Sequence, residues 1–191
     1  MKRPPQRNRL PREFYHRRTK NVARDLLGKA LLRRINGTWV GGTILETEAY
    51  LPQGDPASHS VRGQTRSNAS MFAKPGTLYD YPIHAKHCLN AVTESEGLGA
   101  AVLIRAIEPL WGKEVIEQNR GHSEQRRLTS GPAMICQALE VNRELDGVDL
   151  VHHSDILIAA LDDAPKPKIA ATTRIGISKA KDKLLLFYVQ K

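Results

Sequence analysis

Glu46 and Glu48 stand two residues apart, with Tyr50 beyond them, in the run Glu46-Thr47-Glu48-Ala49-Tyr50. Alternate side chains of a strand share a face, so in an extended segment all three point at one place. A carboxylate beside an aromatic platform can activate water while the ring stacks a planar group. A solvent-facing strand edge with two ordinary glutamates carries the same pattern, and alternation does not choose between Glu46 and Glu48. A few residues on, Asp55-Pro56-Ala57-Ser58-His59-Ser60 sets a histidine among small residues, a candidate ligand, base or stacking partner. Arg105 interrupts the apolar run Val102-Leu103-Ile104-Arg105-Ala106-Ile107-Glu108-Pro109. A buried arginine needs a carboxylate or a bound anion. Glu48 is one candidate partner; Glu108 or Asp155 in a structural ion pair is the other.

Two clusters invite a metal reading, His84-Ala85-Lys86-His87-Cys88 and His152-His153. A zinc site needs about four N or S ligands. One cysteine, a lysine inside the cluster and no matched second pair do not supply them, so no metal is expected. A metal-dependent nuclease built on Glu46, Glu48, Asp55 and His59 is a rival, separable by its sensitivity to a chelator.

These residues require an element order. The sequence predicts a helix opening at Thr19, with Val22, Ala23, Leu26 and Leu27 on one face, and closing at Gly28. Strands follow over 29–35 and 38–47 around Asn36-Gly37, a strong hairpin signal. Residues 51–77 are rich in Gly, Pro, Ser and Ala, and a loop of that length inside a domain is usually functional. No acid falls between Asp55 and Asp80, while His59, Arg62, Arg66 and Lys74 all do, making a local basic loop. Further strands are expected over 78–83, 88–92 and 101–107. A helix is expected after Pro109, carrying Trp111, Val115 and Ile116, and a second from Ser130-Gly131-Pro132 to about Glu140, with a serine cap. Strands over 156–160, 169–177 and 184–189 complete an α+β set with mostly antiparallel pairing.

The chain of 191 residues suits one domain. Its net charge of +9 is concentrated: residues 1–24 hold nine Lys and Arg against Glu13 alone, leaving +1 for the rest. We therefore expect a basic flexible arm over 1–12 and a single domain over 13–191. Such an arm suits phosphate backbones, or serves only as a solvated tail. No long apolar run spans a membrane, and the N-terminus lacks the apolar core of a secretory signal. Cys88 and Cys136 are expected as reduced thiols, and the location as cytoplasmic, nucleoid-associated in a bacterium.

The motifs together resemble the alkyladenine (3-methyladenine) DNA glycosylase family. The matching text is ETEAY at 46–50, DPASHS at 55–60, RSNASMFAKPGTLYDY at 66–81, CLNAVTE at 88–94, VLIRAIEPL at 102–110, LTSGPAMICQAL at 128–139 and RIGIS at 174–178. The resemblance spans about residues 19–189 in the family's order. It implies a single mixed domain around a curved, mostly antiparallel sheet with flanking helices. It implies a monomer that acts on double-stranded DNA, without a cofactor, and hydrolyses the bond between a damaged purine and its sugar. The purines would be of the 3-methyladenine, 7-methylguanine, hypoxanthine and ethenoadenine class.

By position, the resemblance makes Glu48 the base that deprotonates the attacking water and Arg105 the arginine that helps hold it. The backbone at Ile175, next to Gly176, supplies another contact. Tyr50, His59 and Tyr81 match the rings that sandwich an extruded base, and the backbone around Ala57 and His59 would read its edge. Asn90 matches an asparagine that clashes with the amino group of normal guanine. Arg66, His84, Lys86, His87, Ile175 and Gly176 would face the DNA. Two departures stand out. His84 occupies the place of a tyrosine wedge, in a segment one residue short before Asn90, and no arginine precedes Phe187-Tyr188. A binding module of the same fold without catalysis is the alternative, but it has no need of Glu48, Arg105 and Asn90 together. Nothing places a lysine beside Glu48, so no lyase step is expected.

Overall fold

Asn36 and Gly37 take φ of 47° and 82°, the left-handed pair that a primed two-residue hairpin turn demands. They join β1 (Ala30–Ile35) to β2 (Thr38–Tyr50). The structure, a computed structural model, describes residues 4–82, 86–162 and 165–190. Among these, eight strands form one sheet. In spatial order they run β3 (Leu78–Asp80), β4 (Leu89–Val92), β5 (Ala101–Trp111), β2, β1 and β6 (Ile156–Ala159). Off that path, β7 (Ile169–Thr172) pairs with β8 (Leu186–Val189), which pairs with β2. The pairings are antiparallel throughout. With α1 (Arg12–Tyr15), α2 (Thr19–Asp25), α3 (Lys113–Arg120) and α4 (Pro132–Ala138), the class is α+β.

β2 organises the sheet. One flank lies on β5 along its length; the other pairs with β1 over residues 38–43 and with β8 over 46–48. Before residue 45 its even positions Val40 and Ile44 enter the main core. Beyond it the odd positions do: Ala49 joins the core, and Thr47 donates its hydroxyl to Ala23 O of α2 at 2.8 Å. Register shifts explain the reversal. Between Ile44 and Glu46 the register leaves Leu45 opposite no residue of β5, and at the next rung it leaves Arg105 opposite none of β2. One extra residue sends every later side chain to the other face. The paired bulges therefore turn Glu46, Glu48, Tyr50, Leu103 and Arg105 away from the helices, while Val102, Ile104 and Ile107 stay in the core.

A little upstream β2 must carry glycine. A Cβ at Gly42 would lie 1.9 Å from Glu108 O. α2 contributes Val22 and Ala23 to the main core, and Leu26 and Leu27 follow just past its end, as its apolar face predicts. A smaller cluster of Met71, Tyr79, Val92 and Ala101 underlies Tyr50 and Tyr81.

Several boundaries differ from the sequence expectation. β2 continues to Tyr50, so its pairing with β5 and β8 carries the glutamates inside the sheet. β5 runs on through Pro109 to Trp111, and α3 begins only after Gly112, whose φ is 60°. Pro109 is tolerated because β4 covers β5 only at 101–103, so among the described residues no strand pairs with Pro109 on that flank. Gly131 rather than Ser130 caps α4, with Pro132 in the first turn. β7 stops at Thr172 because Arg174 turns inward. From Asn8 the basic N-terminal segment lies along β6: Leu10 N donates to Ile158 O, Ala160 N donates to Asn8 O, and Leu10 is buried.

Candidate active site

The bulged end of β2 delivers Glu48 to the floor of a cavity of about 300 Å³. The carboxylate is fully buried. Its Oε1 accepts Ile175 N–H at 2.9 Å and lies 3.2 Å from an Arg105 guanidinium nitrogen; its Oε2 accepts the Tyr50 hydroxyl at 2.8 Å. Arg105 also donates Nε to Glu46 Oε1 at 2.7 Å. The expected Arg105–Glu48 pair is therefore present, with Glu46 as a second partner, and neither Glu108 nor Asp155 takes part. Burial and the adjoining Glu48 raise the Tyr50 phenol far above its usual pKa, so it stays a donor.

Across the cavity, His59 and Tyr81 make one wall, with ring centroids 3.8 Å apart. His59 Nδ1 is 3.1 Å from the Tyr79 hydroxyl. Burial, with the Arg62 guanidinium second, lowers the His59 pKa, keeping the ring neutral at neutral pH. Asn90 sits at the cavity edge with both amide N–H bonds spent on backbone, to Tyr79 O at 3.1 Å and Cys88 O at 2.9 Å. Cys88 lines the cavity too. Burial and Asp80 raise its thiol to about 11, so it is a neutral wall.

The cavity thus brings together Glu48, Tyr50, Ala57, His59, Tyr81, Asn90, Arg105, Ile175 and Gly176. Ile175 stands 58% exposed at its rim despite its apolar side chain. Other expected residues lie elsewhere. Arg66 is exposed on the 51–77 loop and does not line the cavity. Lys86 and His87 line a separate depression beside α4, and His87 is held by buried Asp80 at 2.6 Å. His84 falls outside the described residues. Among the described residues no three of His, Cys, Asp or Glu come together as metal ligands would.

Sequence reasoning missed the residues that hold the loop. Asp55 and Arg174 form a two-pronged ion pair at 2.6 and 2.7 Å with both side chains fully buried. Burial opposes the charge on Asp55, but Arg174 and the N–H groups of Leu51 and Ala57 hold its carboxyl below the usual carboxylate range. Asn68 is a second staple. It accepts from Thr65 N at 2.6 Å and donates to His59 O and Gly63 O. One signal was available: Asp55 is the last acid before a 24-residue acid-free stretch, and Arg174 lies in an apolar segment. Each needed a distant partner.

A family model described as Methylpurine-DNA glycosylase (MPG) matches residues 13–191. A protein of Rhodopirellula baltica is 50% identical over 185 residues, covering 94% of this chain and 79% of its own length. One of Carboxydothermus hydrogenoformans is 43% identical over 182 residues, covering 95% of each chain. A third, of Methanoculleus marisnigri, is 43% identical over 185 residues, again covering 95% of each. All three carry the name "Putative 3-methyladenine DNA glycosylase".

Proposed function

The chain belongs to the methylpurine-DNA glycosylase family, and from that premise we propose that it draws alkylated or deaminated purines out of duplex DNA and hydrolyses the N-glycosidic bond with a water activated by Glu48. One observation carries the reading. A carboxylate offers about four lone-pair positions; the Ile175 N–H and the Tyr50 hydroxyl take two of them, and Arg105 lies 3.2 Å from Oε1 as an ion pair. Glu48 thus keeps capacity to accept from a water at the floor of a cavity sized for a flat heterocycle.

In the reaction the water oxygen bonds to the sugar C1′ and its proton passes to Glu48. The base departs with the electron pair of the broken C1′–N bond. Arg105 and Ile175 N–H fix the carboxylate in place. Tyr50 on one side and the His59–Tyr81 wall on the other stack the base, and Asn90 disfavours the amino group of guanine. Among the described residues no lysine lines the cavity, which favours an abasic site rather than a cleaved strand as product. Arg66, Lys86, His87 and the rim at Ile175 and Gly176 face the DNA, with His84 proposed as the wedge. The protein works as a monomer.

The test is to incubate the protein with alkylated duplex DNA in EDTA and assay released bases and abasic sites, with Glu48→Gln alongside. Release of methylated purines by the native protein alone supports the reading. Binding without release would make it a binding module, and strand cleavage that appears only when EDTA is omitted would revive the metal-dependent nuclease.

A further inference from the structure

Arg174 and Asp55 are both buried, yet neither lines the cavity. A buried ion pair stabilises a fold poorly, because desolvating two charges offsets their attraction. Its connections here are specific. Arg174 grips both oxygens of Asp55 and also donates to Ala49 O at 3.0 Å, the backbone between Glu48 and Tyr50. Its guanidinium carbon lies 4.7 Å from the centre of the Tyr50 ring. The next residue in the chain is Ile175, whose N–H is bonded to Glu48. Asp55 in turn accepts from Leu51 N at 3.1 Å and Ala57 N at 3.3 Å, fixing the loop that brings Ala57 to the cavity.

We infer that the buried Asp55–Arg174 pair is the positioning element of this site, locking the Tyr50 ring, the Ala57 backbone and the Ile175 N–H in register around Glu48. The inference rests on the proposed excision reaction. The three parts come from β2, the 51–58 loop and the segment after β7. Among the described residues, this pair contacts all three. A water-activating carboxylate must be held within a few tenths of an ångström to be effective, and this clamp couples the carboxylate's donor to the stacking ring.

The test is single-turnover excision from alkylated duplex, read beside the affinity for a duplex carrying a stable abasic analogue and the thermal midpoint. Asp55→Asn keeps the shape and one acceptor but not the charge. We expect its excision rate to fall at least 30-fold in protein that remains folded, with affinity changed less than threefold. Arg174→Lys, which keeps the ion pair but cannot span Asp55, Ala49 O and the Tyr50 ring together, should fall in between, whereas Arg174→Gln should match Asp55→Asn. An unchanged rate in folded Asp55→Asn overturns the inference. Rate and affinity falling together, in step with the midpoint, also overturn it, since that marks a merely structural pair. If the native protein itself releases no base, the proposed reaction has failed instead, and the variants need not be made to know it.

Discussion

Glu46 and Glu48 share a strand face and one arginine, yet the proposed reaction gives them unequal consequences. Consider Glu48→Gln. The glutamine carbonyl can take the place of Oε1 and keep Ile175 N–H and Arg105; its amide then meets the Tyr50 oxygen, and the hydroxyl rotates to accept. Arg105 is not orphaned, because Glu46 remains 2.7 Å from its Nε. The usual penalty for breaking a buried pair, about 3–5 kcal/mol, is therefore avoided, and the stability change should stay within about 1–2 kcal/mol. Catalysis has no such substitute. A positioned general base contributes about 10²–10⁴-fold, so the barrier should rise by about 2.7–5.4 kcal/mol.

Glu46→Gln is the matched contrast. Its side chain is 29% exposed and does not line the cavity. A partly exposed ion pair is worth about 0.2–1 kcal/mol, which predicts a loss of no more than about fivefold in rate. The assay is single-turnover release of a methylated purine under saturating enzyme, with urea unfolding of each variant in parallel. Equal losses in the two variants, or a Glu48→Gln rate above a tenth of native in folded protein, would refute the assignment of the base.

Three further outcomes follow from the geometry. Asn90→Ser removes two side-chain hydrogen bonds, to Tyr79 O and to Cys88 O, the latter keeping the Tyr81 N–H; we expect about 1–3 kcal/mol of lost stability and faster release of undamaged guanine, measured on unmodified DNA. In Gly42→Ala the new Cβ meets Glu108 O at 1.9 Å, forcing β2 from β5; denaturant unfolding should show a loss of about 1–3 kcal/mol or more, and a change under about 0.5 kcal/mol would contradict the close approach. The His59 pKa is lowered by burial and by Arg62, so the folded value lies below the unfolded one. The unfolded chain then takes up the proton first: the stability contributed by neutral His59 is complete above about pH 6.5 and is lost as pH falls through the folded value. Thermal melts from pH 7.5 downward should show this slope, and His59→Gln should flatten it.

The sequence made legible several of the residues that gather at the cavity, but not how they are held there. Alternation over 46–50 correctly put Glu46, Glu48 and Tyr50 on one face, and Asn36-Gly37 announced its hairpin, because both are local properties of the chain. The bulges at Leu45 and Arg105 were not legible, since a bulge is a relation between two strands. Pro109 misled for a related reason. It reads as the end of a strand, and it stays because β4, among the described residues, pairs with β5 only at 101–103. The Asp55–Arg174 pair joins residues 119 positions apart, beyond any periodicity. Lys86 and His87, expected to face DNA, line a depression of their own beside α4, a placement that no local pattern around Asn90 specifies.

The charges around the cavity bear on which purines suit it. Arg174 is cancelled by Asp55, and of the charged side chains that line the cavity Arg105 is matched by Glu48, with Glu46 on its other side, so the pocket carries no excess of positive charge. His59 adds none while it stays neutral. Most of the chain's net charge of +9 falls in residues 1–24, so the cavity contrasts with that basic segment. On the proposed reading the contrast is useful: the basic segment gathers the phosphate backbone, while the pocket favours a purine made cationic by alkylation over its neutral parent. Two stacking walls gain about 0.5–2 kcal/mol per favourable contact with such a ring, and a protonated His59 would work against that. Release of cationic purines should therefore decline as His59 gains its proton, while release of neutral purines should decline less. Parallel pH–rate profiles for 7-methylguanine and hypoxanthine measure the difference, and coincident profiles below pH 6.5 would remove His59 from the account of selectivity.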